Sequence, residues 1–199
     1  MENLNIDGIG NLNKVTELFS QLNCSGTDNC IFVVTNRDFG TVDDPGALMT
    51  GNGAVAGAKL GGVAGGVVGA AVGNAISKTV SEAVAEFNKN LDDRQKIAFS
   101  KVHPGFLINM LPEGIGVIPL RNSGQMIPNV KDFITDVDNF VFFSKDEIVK
   151  KEMKNLLWLK IFKIYFANTK DVGTPWQVPK KHKLVPYQAD SFKKLEARI

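Results

Sequence analysis

Three observations in the sequence predict an α+β protein. Residues 98–199 alternate short β-branched and aromatic runs with turn residues, and they end in an amphipathic helical pattern. Residues 11–23 repeat apolar side chains at the spacing of one helical face. Residues 53–73 repeat glycine at every fourth position. We therefore expect an antiparallel β-barrel or sandwich closed by a C-terminal helix, preceded by an N-terminal amphipathic helix and a long glycine-periodic helical segment.

The glycine repeat is the strongest single signal in the chain. Residues four apart lie on one face of an α-helix, and glycine there lets a second helix approach backbone to backbone. In water each such glycine costs about 1 kcal/mol relative to alanine, so the row predicts a partner surface that compensates. The helix-packing positions are Gly53, Gly57, Gly61, Gly65, Gly69 and Gly73.

Three interpretations of this segment stay open. The first is a membrane-inserting helix or short hairpin, because Leu60–Ser77 is uncharged and close to the roughly 20 residues that span a bilayer. The second is a helix packed on its own domain or on a copy of itself. The third is a flexible glycine-rich loop. The regular four-residue spacing argues against it, because the flexibility of a linker depends on its amino-acid composition and not on a regular spacing of glycines. The segment resembles the glycine-zipper segments of bacterial membrane-associated proteins.

Charge is distributed unevenly along the chain. The net charge is +2, but residues 145–199 contain 13 Lys and Arg against 6 Asp and Glu, a net +7, which leaves −5 for residues 1–144. A basic C-terminal third is typical of a surface that binds a membrane or another polyanion. A solvated, lysine-rich surface without a ligand is the alternative.

The N-terminal residues lack the basic and apolar regions of a signal peptide. We therefore expect a cytoplasmic protein, either free or held at the inner face of the cell membrane as a peripheral or integral protein. Cys24 and Cys30 are expected to be reduced, partly buried thiols, and a short-range disulfide is the alternative if the protein is exported by another route.

The patterns divide the chain into four parts. The N-terminal amphipathic helix occupies residues 1–23, and a first strand region of the β domain occupies residues 24–39. The glycine-periodic helical insertion covers residues 40–97 and ends in a short helix that starts near Asp92. Residues 98–199 form the β domain with its C-terminal helix.

Strands are expected where β-branched and aromatic residues cluster between turns. Gly105–Leu111 and Ile115–Leu120 form a hairpin, in which Pro119 indicates an edge or a bulge. The closing helix is expected to be capped at Ala189–Ser191. The other predicted strands are Cys30–Thr35, Asp138–Phe143, Ile148–Lys154, Ile161–Phe166 and Trp176–Val178.

Several strands closed by one helix resemble the order of a pleckstrin-homology-like (PH-like) barrel, and of bacterial PH-like domains in particular. The glycine-periodic insertion departs from that pattern. The resemblance implies a binding protein whose ligand is an anionic lipid or a peptide, and the fold alone does not decide between them. The resemblance is carried by the hairpin Phe106–Leu120, by the strand pair Lys163–Val178 with its turn Asp171–Gly173, and by the helix Ser191–Ile199 after Leu184–Pro186.

An anionic headgroup needs clustered cations, and each basic residue near an anionic surface is worth about 1 kcal/mol. For any one of these residues, an exposed lysine with no ligand is the alternative. The candidates for anionic-surface binding are Lys150, Lys151, Lys154, Lys180, Lys181 and Lys183.

The sequence offers little for catalysis. His103 and His182 lack the spacing of a metal site, and no Walker A string or Gly-x-Ser-x-Gly elbow occurs. The phenylalanines cluster in predicted strand interiors, which argues against single-stranded nucleic-acid binding. We expect no catalytic residue, no metal, no cofactor and no nucleic-acid partner, and we identify no small-molecule substrate.

The leading hypothesis is a non-enzymatic, membrane-associated or self-associating binding protein. The PH-like module binds, and the glycine-periodic helix packs closely in a membrane or between copies. The expected partners are an anionic lipid or membrane and a second copy of the chain. One alternative is a membrane-permeabilising, toxin-like effector, and another is a soluble scaffold in which the glycine helix is buried within one chain.

Overall fold

The structure is a computed structural model that describes residues 1–26, 29–35, 87–100, 102–123, 129–156, 159–169 and 172–199. The predictions for the glycine row at positions 53–73, and for the helical insertion up to residue 86, lie outside the described residues. Among the described helices, none has the length and apolar character needed to cross a membrane.

Helices and strands follow one another in an α+β order. The described helices are α1 (Ile6–Ile9), α2 (Leu12–Gln21), α3 (Asp93–Phe99) and α4 (Gln188–Glu196). The strands are β1 (Cys30–Val34), β2 (Gly105–Leu111), β3 (Gly114–Asn122), β4 (Phe133–Thr135), β5 (Val141–Ser144), β6 (Ile148–Leu156), β7 (Leu159–Phe166) and β8 (Trp176–Val178). Short 3-10 turns occupy Val130–Asp132, Val137–Asn139 and Ala167–Thr169.

All eight strands pair antiparallel in one sheet, in the order β4-β3-β2-β1-β8-β7-β6, and β5 pairs with β3 beside β4. The first strand therefore lies at the centre, and the last strand returns to it. In the described part of the chain no pairing joins β6 to β4 or β5, so the sheet is not closed. The predicted α+β class, the antiparallel pairing and the C-terminal helix are confirmed, whereas the closure expected of a barrel is not found.

The central strands β1, β2 and β3 are buried on both faces, and so they separate two apolar clusters. Phe32 and Val34 of β1 lie in the first cluster, which α1 and α2 cover. Ile31 and Val33 point the other way, into the second cluster with side chains of β7, β8, α3 and α4. Because alternate strand residues face opposite sides, one β-branched run supplies both clusters.

The N-terminal amphipathic helix is confirmed, with its boundaries at Leu12 and Gln21. The side chain of Asn11 caps it by accepting hydrogen bonds from the backbone N–H of Asn13 (3.1 Å) and of Lys14 (3.4 Å). The short helix predicted near Asp92 is also present, and Asp92 and Gln95 form a reciprocal capping box at its start.

The predicted hairpin of β2 and β3 is confirmed, but Pro119 is on neither an edge strand nor a described bulge. It pairs with Phe106 of β2 on one side. On the other side it falls between the residues of β3 that pair with β5 and those that pair with β4. A residue without an N–H is tolerated there because the ladder is already interrupted.

Candidate functional site

The nine residues between β8 and α4 carry the lysines Lys180, Lys181 and Lys183. All three side chains are exposed, whereas His182 between them is buried, with its ring 5.1 Å from the ring of Phe32. Val185 is fully buried in the first cluster. The three ammonium groups are therefore presented by a loop that is packed onto the domain at His182 and Val185. We call these three residues the lysine loop.

Gln188, the first residue of α4, holds the start of this loop. Its side chain is fully buried. Its Nε2 donates to the carbonyl oxygens of Pro179 (2.8 Å) and Phe32 (2.9 Å), and its Oε1 accepts from the N–H of Phe32 (3.0 Å). The hydroxyl of Tyr187 donates to the carbonyl of Ile9 (2.9 Å) and ties the other end of the loop to α1.

These contacts explain why α4 begins at Gln188 and not at the predicted cap, Ala189–Ser191. Hydrogen bonds to the backbone of Phe32 fix the side-chain amide of Gln188 beside β1, and α4 begins at this fixed residue. A hydrogen bond to a strand 156 residues away leaves no local signal in the sequence.

The lysine loop carries three positive charges. Among the described residues, none forms a salt bridge with Lys180, Lys181 or Lys183. Two further lysines, Lys193 and Lys194, are exposed on the helix that follows. This end of the domain therefore presents several cations to solvent.

The lysines of β6 are arranged differently. Lys150 and Lys154 lie on one face of the strand with Glu152 between them, and their ammonium groups are 2.5 Å and 3.0 Å from its carboxylate oxygens. The hydroxyl of Tyr165 on β7 also donates to this carboxylate, and the Lys150 ammonium lies 5.1 Å from the Tyr165 ring centroid. These two lysines share one counter-ion within the sheet.

Glu152 is a strongly stabilised carboxylate. The hydrogen bond from Lys150 is the main reason that its pKa falls to about 2, and the Tyr165 hydroxyl adds to the effect. Sequence analysis did not single out Glu152 or Tyr165. The alternation Lys150, Glu152, Lys154 was the available signal, because residues two apart share a face of a strand.

Lys151 is exposed and lies opposite Ile164 of β7, whose side chain belongs to the second cluster. It therefore extends from the other face of β6. The structure thus brings Lys150 and Lys154 together around Glu152 and directs Lys151 to the other face of β6. Lys180, Lys181 and Lys183 lie together on one loop.

The described residues offer little for a metal site or for a reactive cysteine. No group of three His, Cys, Asp or Glu side chains there is placed to hold a metal ion. Cys24 and Cys30 are not joined in a disulfide, and both are buried, whereas partly buried thiols were expected. Burial is the main cause that raises the pKa of the Cys24 thiol to about 11, which makes it a poor nucleophile.

No protein-family model, no curated protein and no solved structure matches this chain.

Proposed function

We propose that this chain is a non-enzymatic binding protein with a PH-like domain, which attaches to an anionic membrane surface through its lysine loop. The return of the last strand to the first, and the single helix that follows it, support the PH-like resemblance. The cytoplasmic face of the cell membrane is the proposed location, because that leaflet carries anionic lipid.

The observation that carries the proposal is the exposure of Lys180, Lys181 and Lys183 on a loop that buried contacts hold in place. Among the described residues, none pairs with these three lysines in a salt bridge. Each basic residue near an anionic surface contributes about 1 kcal/mol, so the three contribute about 3 kcal/mol, roughly a hundredfold in partitioning. An ordered loop also loses less conformational freedom on binding than a flexible one.

The glycine-periodic segment completes the proposal. Its residues lie outside the described part of the chain, and the four-residue spacing of its glycines in the sequence supports a packing role. We propose that this row provides close helix packing, either within the membrane to which the lysine loop attaches or between two copies of the chain.

The direct test is sedimentation of the full chain with vesicles. One set contains phosphatidylcholine alone, and the other also contains phosphatidylserine. We expect the combined variant K180A/K181A/K183A to lose the extra binding that phosphatidylserine gives. The matched control is K14A/K131A/K145A, which removes the same charge from exposed positions away from the loop.

The control variant should bind nearly as the unmodified chain does. If both variants lose binding equally, net charge and not the lysine loop is responsible. If neither variant loses binding, the proposal is wrong.

A further inference from the structure

Among the described strands, β6 (Ile148–Leu156) lies at one edge of the sheet. It pairs with β7 along its length, and in the described part of the chain no strand pairs with its other side. The side chains of Lys150 and Lys154 are 57% and 55% exposed, and Val149 is 68% exposed. An edge of this kind presents backbone N–H and C=O groups that another extended chain can pair with.

The opposite edge of the sheet is already covered by the chain itself. Asn5 forms an isolated antiparallel bridge with Ile134 of β4. The N–H of Thr135 donates to the carbonyl of Leu4 (2.9 Å), and the N–H of Leu4 donates to the Thr135 hydroxyl (2.8 Å). The N-terminal residues thus extend the sheet at β4, whereas the described residues supply no such cover for β6.

The charge of β6 selects the kind of chain that fits this edge. Three lysines against one glutamate give the strand a net charge of +2. A second copy of β6 would bring another net charge of +2 to the same edge, which is electrostatically less favourable than a negatively charged strand. A strand with carboxylates on both of its faces would find a lysine on each face of β6, because Lys151 is on one face and Lys150 and Lys154 are on the other.

A register shift near the start of β6 limits the surface that another strand can pair with. The register with β7 shifts between Ile148 and Lys150, and a bulge bends a strand and interrupts regular pairing. The regular part of the edge therefore runs from Lys150 to Asn155. Within it Glu152 holds the ammonium groups of Lys150 and Lys154 on either side of itself.

We propose that the edge of β6 between Lys150 and Asn155 binds an extended acidic peptide segment of a partner protein as an additional strand. Backbone hydrogen bonds supply the pairing, and carboxylates opposite Lys150, Lys151 and Lys154 supply the selectivity. This surface is separate from the lysine loop, so the inference holds or fails independently of membrane attachment. Lysines and a bulge also protect an edge against aggregation, and they do so without repelling a carboxylate-bearing strand.

The test uses the full chain and three synthetic ten-residue peptides. The Glu/Val peptide carries Glu opposite Lys150, Lys151 and Lys154 and Val at its other positions. The Glu/Gly peptide carries Gly in place of each Val, and the Lys/Val peptide carries Lys in place of each Glu. We expect the Glu/Val peptide to bind and to slow hydrogen exchange of the amides between Lys150 and Asn155. The Glu/Gly peptide has equal charge but low strand propensity, and it should bind more weakly without this protection. The Lys/Val peptide should not bind.

Two variants locate the effect. K150E/K154E should weaken binding of the Glu/Val peptide by roughly tenfold or more, since like charges would then face each other across the strands. K14E/K131E changes charge equally at exposed positions away from β6 and should bind the peptide nearly as the unmodified chain does.

Three results would overturn the inference. One is protection at other amides with none on β6. Another is equal binding of the Glu/Val and Glu/Gly peptides, which would show charge attraction alone. The third is a K150E/K154E variant that loses vesicle binding but keeps peptide binding, which would assign these lysines to the membrane.

Discussion

The side-chain amide of Gln188 takes the place of a strand neighbour for Phe32. Strands β1 and β8 pair at Val34 and Gln177, and in that register the next rung would join Phe32 to Pro179. Proline has no N–H to donate. Gln188 instead accepts from the N–H of Phe32 (3.0 Å) and donates to its carbonyl (2.9 Å). Along the chain on either side of Gln188, Val185 belongs to the first apolar cluster and Phe192 to the second.

Replacing Gln188 with Leu should destabilise the domain by about 2–4 kcal/mol, because it leaves buried backbone groups without partners. Gln188→Glu should also destabilise it, since a carboxylate cannot donate to the carbonyls of Phe32 and Pro179. Urea unfolding followed by circular dichroism measures both. Gln21→Leu, at an exposed position on α2, should change the free energy of unfolding by less than about 0.5 kcal/mol. An unchanged free energy in Gln188→Leu would show that these hydrogen bonds contribute nothing.

Glu152 should make stability depend on pH in the acidic range. Its pKa is lowered from 4.5 to about 2 in the folded chain. A lowered pKa means that the stabilisation is present above pH 4.5 and is lost as the pH falls toward 2. The unfolding midpoint of Glu152→Gln should therefore lie below that of the unmodified chain at pH 7, and the difference should shrink between pH 4.5 and 2. Glu17→Gln, at an exposed position on α2, is the control and should leave the unfolding midpoint at pH 7 nearly unchanged. A constant difference across that range would refute this role of the carboxylate.

Gly116 should tolerate no larger side chain. A Cβ at this position would lie 2.4 Å from the sulfur of Cys24 and 3.2 Å from the ring of Phe140. Gly116→Ala should cost about 1–3 kcal/mol of stability through overpacking. Combining it with Cys24→Ala should cost less than the sum of the two single changes, because the main clash is removed. A Cys30→Ala and Gly116→Ala pair should be additive. Additivity of the Cys24 pair in urea unfolding would contradict the contact.

We expect self-association of the chain to depend on the glycines that recur at every fourth position between Gly53 and Gly73. Leu at Gly61, Gly65 and Gly69 should abolish oligomers, because large side chains prevent close approach of two helices. Leu at Val63 and Val67, off the row, should leave the measured mass unchanged. Light scattering with and without detergent gives the mass. Unchanged self-association in the glycine variant would rule out the packing role, and dye leakage from vesicles would favour the permeabilising alternative.

Local pattern predicted much of the strand framework. The run Gly105–Leu111 has the β-branched and aromatic content of a strand, and the turn at Pro112 and Glu113 returns it, so this hairpin was predictable. Strand β4 was not, because Phe133–Thr135 is only three residues long and depends on pairing with β3 and with the N-terminal residues. Such contacts join distant parts of the chain and leave no periodic signal.

The candidate site was predictable in its residues but not in its arrangement. Net charge identified the lysines of β6 and of the lysine loop. Their division into separate groups follows from the register of β6 with β7, including the shift between Ile148 and Lys150. The burial of His182 among exposed lysines follows from its packing on Phe32. Neither the register nor that packing could be derived from spacing along the chain.

The most direct measurement of the central claim is the ratio of vesicle partition coefficients between the unmodified chain and K180A/K181A/K183A, with phosphatidylserine present at low salt. Three cations worth about 1 kcal/mol each predict a ratio of roughly one hundred, which should fall as salt is added. The matched K14A/K131A/K145A variant should give a ratio near one. A ratio near one for the lysine-loop variant would contradict attachment through this loop.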